Sequence, residues 1–145
     1  YRKSHHTTQH DQRKKASLMG YPIGKFSKMV SLSIDTLRYY EKERLIIPAR
    51  DQNNRRTYSE ADQRWIAFIK RLKATGMPIK EIKTYARLRY QGNSTIDERL
   101  QLLFTQKNRL TAQRQEIDAH IAFLENKIAT YYQLKTKLMA ENLKK

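Results

Sequence analysis

The chain has 145 residues, of which 30 are Lys or Arg and 14 are Asp or Glu, so its formal net charge is +16 at pH 7. This length suffices for one compact domain and one extended element, and such an excess of positive charge predicts an acidic polymer or surface as the partner. The absence of cysteine excludes disulfides, thiolate metal sites and thiol chemistry. Because no apolar run is long enough to cross a bilayer, we expect a cytoplasmic protein with no membrane partner.

The N-terminal segment, residues 1–20, is polar and has no apolar periodicity before Leu18. We therefore expect a flexible tail. His5, His6 and His10 could bind a metal, but a solvated tail is the favoured interpretation. The sequence predicts no metal and no cofactor.

A pair of short helices is predicted next. Apolar residues at helical spacing indicate the first helix: Ile23, Phe26, Met29 and Val30. Ser33 is a good N-cap for a second helix that runs through Leu37 and Tyr40. Two short helices joined by a three-residue turn are typical of a helix-turn-helix, although many small helical proteins contain such a corner.

A small β-hairpin follows. The run from Leu45 to Pro48 predicts one short strand, residues 51–54 a turn, and the run from Arg55 to Tyr58 a second strand. Three arginines lie at or beside its tip: Arg50, Arg55 and Arg56. Because such a small hairpin gains little from burial, its function should lie in what these charges contact.

Two further helices complete the head. Ser59 is placed to cap a third helix, for which we assign Trp65, Phe68 and Ile69 to the core. Gly76 should end this helix, and the fourth should run from Met77-Pro78 to Gly92.

The last segment shows a heptad repeat. Apolar residues recur at a strict interval of seven: Ile96, Leu103, Leu110, Ile117, Leu124, Tyr131 and Leu138. This pattern, with no Gly or Pro, predicts one helix on the order of 60 Å long with a coiled-coil seam. One small head cannot cover such a stripe, so we expect a homodimer. The seam leaves open whether the two helices run parallel or antiparallel.

Several segments between Tyr21 and Gly92 resemble the MerR family of transcription regulators: YPIGKFSKM, TLRYYEK, PARDQNNRRTYSEAD and FIKRLKATGMPIKEIK. The resemblance implies a mainly α fold, with a winged helix-turn-helix head at 21–92 and a dimerisation helix at 95–140 that forms an antiparallel coiled coil. It also implies a homodimer that binds double-stranded promoter DNA, distorts it, and acts together with RNA polymerase.

The DNA-binding residues are predicted partly from their chemistry and partly from this resemblance. Arg38, on the second helix, has a planar fork suited to guanine or phosphate, and Ser33 and Thr36 are short polar side chains that can reach base edges or backbone. The full predicted set is Ser33, Thr36, Arg38, Tyr39, Tyr40, Arg56, Tyr58 and Lys73. Two alternatives stay open here: Tyr40 as a core residue, and Lys73 as an ordinary solvated lysine.

The chain further resembles the aldehyde-responsive subgroup of that family, with one departure. Where the subgroup has a cysteine implicated in electrophile sensing, this chain has Arg71. Sensing through a thiolate is therefore not available to it.

Two other classes of function agree less well with the sequence. An enzyme is disfavoured because there is no cysteine nucleophile, no supported carboxylate pair and no Gly-rich phosphate loop, and the only histidine outside the tail is His120 on the long helix. A basic coiled-coil adaptor that binds RNA or a protein is the second alternative. The arginine-tipped hairpin beside a helix-turn-helix argues against it, because this geometry suits a major groove and its flanking phosphates.

Overall fold

The structure is a computed structural model that describes residues 20–144. The predicted tail and its three histidines lie outside these residues, except for Gly20. Contacts divide the chain into one unit that ends at Leu102 and a second that begins at Leu103.

The predicted helix-turn-helix is confirmed. Helix α1 spans Ile23–Val30 and helix α2 spans Ile34–Lys42. Between them Ser31 adopts a left-handed backbone conformation with φ 55°. The Ser33 hydroxyl caps α2 by accepting a hydrogen bond from the Thr36 N–H at 3.0 Å. The two helices pack through buried apolar side chains: Phe26, Val30, Leu37 and Tyr40.

A two-stranded wing follows α2. Strands β1 (Ala49–Arg50) and β2 (Arg56–Thr57) pair antiparallel, with Arg50 opposite Arg56. The Asp51 carboxylate organises the turn, because its Oδ1 accepts from the N–H groups of Asn53 and Arg55, both at 2.9 Å. The wing is therefore a tight hairpin shaped by local hydrogen bonds.

The prediction that residues 45–48 form the first strand is wrong. The N–H groups of Leu45 and Ile46 both point back to the Tyr40 carbonyl oxygen, at 2.8 and 3.4 Å, and so end α2 instead of forming a ladder. Both side chains are fully buried, and Pro48 has no N–H to donate. The first strand begins only at Ala49.

Helices α3 (Glu60–Ala74) and α4 (Ile79–Gln91) build the rest of the head. Ser59 and Asp62 form a reciprocal capping box at the start of α3, and Gly76, with φ 85°, follows its end as predicted. The core of this pair consists of Trp65, Ile66, Ile69, Leu72, Ile82, Tyr85, Ala86 and Leu88.

Phe68 was also predicted to lie in the core, but its side chain is 37% exposed. Its ring packs against Trp65 and Tyr85 at centroid distances of 5.8 and 5.4 Å. Phe68 therefore lies at the rim of the aromatic cluster.

The long C-terminal helix is confirmed. A short 3₁₀ turn, Asn93–Thr95, leads into helix α5, Ile96–Leu143. In the second unit the heptad residues stay open to solvent: Leu110 is 38% exposed, Ile117 56%, Leu124 57%, Tyr131 56% and Leu138 50%. Between residues 20 and 144, no helix combines the length and apolar character needed to cross a membrane.

Candidate nucleic-acid interface

Helix α2 presents several of the predicted contact residues to solvent. Arg38 is exposed and the Tyr39 side chain is 52% exposed, whereas the neighbouring Leu37 and Tyr40 are buried. At the start of the helix the hydroxyls of Ser33 and Thr36 lie 2.8 Å apart. The helix thus buries one side and leaves short hydroxyls, a guanidinium and a phenol available on the other.

Tyr40 belongs to the core. Its side chain is only 4% exposed, and its hydroxyl lies 3.4 Å from the Lys73 ammonium. The same ammonium lies 5.6 Å from the centroid of the Tyr40 ring. Of the two alternatives for Tyr40, packing is therefore the one observed, and its polar edge positions Lys73 beside α2.

The end of α3 carries a second basic group that the sequence did not single out. The Lys70 ammonium donates to the Val30 carbonyl at the end of α1. A cation there complements the negative end of the helix dipole. Lys70 is thus held in place inside the head, whereas Lys73 is exposed.

The wing is tied to α2 through one carboxylate. Glu41 Oε1 accepts from Arg50 Nη2 at 3.1 Å, and Glu41 Oε2 accepts from Arg56 Nε. Arg56, a predicted contact residue, is therefore partly buried and ion-paired, while Arg55 is exposed at the hairpin. Glu41 is not among the predicted site residues. Its negative charge, opposite in sign to the hairpin arginines, is a signal that could have identified it.

Tyr58, the second predicted wing contact, is fully buried. Its backbone pairs with Tyr21 through two hydrogen bonds of 2.7 and 2.9 Å, and burial raises the pKa of its phenol above the usual value. No group among residues 20–144 forms a hydrogen bond with its hydroxyl. This burial gives Tyr58 a packing position and removes it from the exposed basic surface.

The basic surface therefore comprises three parts: the exposed side of α2 with Ser33, Thr36, Arg38 and Tyr39, the wing arginines, and Lys73 at the end of α3. Within residues 20–144 no group of three His, Asp or Glu side chains is placed to hold a metal ion. A helix with exposed short polar groups and an arginine, flanked by cations, has the chemistry needed to read base edges and to contact phosphates.

Comparison with known proteins identifies the family. The family model described as "MerR HTH family regulatory protein" matches residues 21–88, and the one described as "MerR, DNA binding" matches residues 63–125. The chain belongs to the MerR family of DNA-binding transcriptional regulators. The two MerR models together cover the head and α5 as far as residue 125, so the predicted resemblance is confirmed.

Two MerR relatives illustrate the similarity in sequence. An uncharacterised HTH-type transcriptional regulator of Haemophilus influenzae is 35% identical over 118 residues, which cover 81% of this chain and 87% of the relative. The HTH-type transcriptional regulator AdhR of Bacillus subtilis is 37% identical, over 61% of this chain and 64% of AdhR.

Solved MerR structures show the same fold. The crystal structure of HiNmlR, described as a MerR family regulator lacking the sensor domain and bound to promoter DNA, matches with a TM-score of 0.63 and 34% identity, over 81% of this chain and 94% of that chain. A MerR family regulator from Listeria monocytogenes matches with a TM-score of 0.65 and 27% identity, over 86% of this chain and 98% of that one.

Proposed function

We propose that this MerR-family protein binds double-stranded promoter DNA as a homodimer and regulates transcription there. The observation that carries the proposal is the exposed side of α2, flanked by the wing arginines and Lys73. A related regulator, 34% identical and matched over 94% of its length, has been solved in complex with promoter DNA. No catalytic role is part of the proposal, which also takes the cytoplasm as the place where the protein acts.

Each contact residue has a distinct proposed role. Arg38 reads base edges from α2, because a guanidinium can form two parallel hydrogen bonds with guanine. Ser33, Thr36 and Tyr39 contact backbone or base edges near it. Arg56 and Lys73 contact phosphates on either side. Tyr40 and Tyr58 serve from the core: Tyr40 positions Lys73, and Tyr58 anchors the base of the wing.

The proposed dimer is an antiparallel coiled coil of α5. Its support is the row of heptad side chains from Leu110 to Leu138. Each of these side chains is between 38% and 57% exposed. Packing of this row against a second helix would remove its apolar surface from water. We accordingly divide the chain into a head at 21–92 and a dimerisation helix at 95–140.

The proposed mechanism is distortion of the promoter so that RNA polymerase can use it. A dimer contacts two half-sites, and a fixed separation of the heads bends or twists the DNA between them. Bending a site of this size costs on the order of 1–6 kcal/mol, which the added protein contacts can offset. Since the chain contains no cysteine, the signal that controls this step is not read by a thiolate at position 71 or elsewhere in the chain.

The proposal is tested by fluorescence anisotropy with three nucleic acids. These are the duplex that flanks the protein's own gene, a shuffled duplex of the same composition, and a single-stranded RNA of the same length. At two salt concentrations, we expect the native duplex to bind at least about a thousandfold more tightly than the shuffled one. Equal affinities for the two duplexes, or tighter binding of the RNA, would contradict the proposal and support the adaptor alternative.

A further inference from the structure

A pocket of about 400 Å³ lies between the segment that follows α2 and helix α4. Glu43, Arg44 and Ile47 line one side, and Lys83, Arg87 and Tyr90 line the other. A pocket of this volume is in the range that accommodates small organic ligands.

The polar wall of the pocket is strongly basic. Lys80 joins Arg44, Lys83 and Arg87 in the lining, against the single carboxylate of Glu43. Glu43 is already ion-paired with Lys83, and this hydrogen bond raises the pKa of the Lys83 ammonium. Among residues 20–144, Arg44, Lys80 and Arg87 take part in no ion pair. Within the part of the chain that the structure describes, three cations of the lining therefore have no ion-pair partner.

The remaining wall is apolar and fixed in place. Ile47 is 54% exposed and Tyr90 is 37% exposed, although both face a concave surface. The Ile47 N–H donates to the Tyr90 hydroxyl at 2.9 Å, which joins the two sides of the pocket. An exposed aliphatic side chain next to an aromatic ring gains free energy when an apolar group covers it.

We propose that this pocket binds a small organic anion, consisting of an apolar ring that bears a carboxylate. The carboxylate is bound by Arg87 and Arg44, whose guanidinium groups match its two oxygens. The ring packs on Ile47 and Tyr90. An inorganic ion would leave this apolar wall uncovered, and a neutral ring would leave the cations unpaired, so only the combination uses both halves of the pocket.

The position of the pocket places such a ligand next to the C-terminal end of α2. Glu43 and Arg44 directly follow α2, and Ile47 leads into β1 of the wing. A ligand that contacts both this segment and α4 stabilises one arrangement of α2 relative to α4. Its binding is therefore expected to be linked to DNA affinity, but it takes place in the free protein and does not rest on the proposed DNA function.

The test uses 2-naphthoate and its neutral analogue 2-naphthylmethanol, titrated into the full-length protein by NMR and calorimetry. We expect saturable binding of the acid, a shift of the Ile47 amide signal, and at least about tenfold weaker binding of the alcohol, equivalent to about 1.4 kcal/mol. Failure of the acid to bind, or equal binding of the acid and the alcohol, would overturn the proposal.

Two matched variants locate the site. Arg87→Glu reverses an exposed charge in the pocket, and Arg64→Glu makes the same change at an exposed position on α3 outside it. We expect the first to lower naphthoate affinity at least about tenfold and the second to leave it unchanged, with thermal unfolding confirming that both are folded. Equal losses in the two variants would place the acid elsewhere. Displacement of the acid by inorganic phosphate at equal concentration would also overturn the proposal.

Discussion

The ring of Tyr58 lies flat on the ring of Phe26, with centroids 4.3 Å apart and 7° between the planes. The phenol oxygen is buried by this arrangement, and nothing between residues 20 and 144 hydrogen-bonds to it. A buried hydroxyl without a partner loses its hydration and gains nothing in return. The stacked ring of Tyr58 therefore stabilises the fold next to β2, while burial of its hydroxyl destabilises it.

We expect Tyr58→Phe to raise the free energy of unfolding by about 1 kcal/mol and to leave DNA affinity unchanged. Denaturant unfolding and anisotropy measure the two effects. Tyr90→Phe is the control, because the Tyr90 hydroxyl accepts from the Ile47 N–H, so its removal should destabilise the head. A loss of DNA affinity in Tyr58→Phe would restore this residue to the interface.

Stability should also fall in alkaline solution. Burial raises the folded-state pKa of both Tyr58 and Tyr90 above 10.0. The contribution of each neutral phenol is fully present below the unfolded-state pKa and is lost as the pH rises towards the folded-state value. As the pH rises above 10.0, the unfolding free energy should decrease, and it should decrease less in Tyr58→Phe. Identical pH profiles for the two proteins would contradict this assignment.

Arg44 offers a separate test of backbone strain. Its φ is 57°, in the left-handed region, immediately after α2. Glycine adopts this conformation without the clash of a Cβ atom, so we expect Arg44→Gly to stabilise the protein by about 0.5–1 kcal/mol. Arg44→Ala removes the same charge but keeps the clash. If both variants gain equally in thermal unfolding, relief of charge repulsion and not of strain is the cause.

Arg38 and Lys73 should differ in how they affect DNA binding. Arg38→Ala should cost about 1–3 kcal/mol and reduce the preference for the native site. Lys73→Ala should weaken all duplexes alike and lower the salt dependence by about one counterion. Arg64→Ala is the charge-matched control, because Arg64 is exposed and lies on α3, the helix that carries Lys73. Equal, sequence-independent losses from Arg38→Ala and Lys73→Ala would show that the two roles are wrongly assigned.

The direction of the coiled coil can be measured because the chain has no cysteine. Single cysteines are introduced at Leu103, Ile117 and Leu138, which occupy the same heptad position. In a parallel, in-register dimer each cysteine meets its own copy, whereas in an antiparallel dimer only one near the two-fold axis does. We expect at most one of the three variants to form a disulfide-linked dimer under mild oxidation. Efficient cross-linking of all three would contradict the antiparallel arrangement.

Features set by neighbouring residues were predictable from the sequence. Ser33 and Ser59 cap their helices, and Gly76 follows the end of α3, because capping depends on a few adjacent backbone groups. The long α5 was predictable for the same reason, since a heptad repeat is a local pattern.

Features set by contacts between residues that are distant in sequence were not predictable in this way. The residue types of Leu45 and Ile46 predict a strand, but their N–H groups donate to the Tyr40 carbonyl oxygen. The burial of Tyr58 depends on Phe26, 32 positions earlier, and the link from Glu41 to Arg56 spans 15 positions. The basic pocket joins residues near 45 to residues near 85, and no short pattern in the sequence indicates that they meet.

Trp65 provides the head with its own optical reporter. It is the only tryptophan in the chain, its side chain is 3% exposed, and its indole N–H donates to the Leu45 carbonyl at 2.7 Å. The guanidinium of Arg89 lies 4.3 Å from its ring centroid. Intrinsic emission excited selectively at the indole therefore arises from the α3–α4 core alone. A change in its wavelength or lifetime reports loosening of the segment that follows α2, in unlabelled protein and without interference from α5.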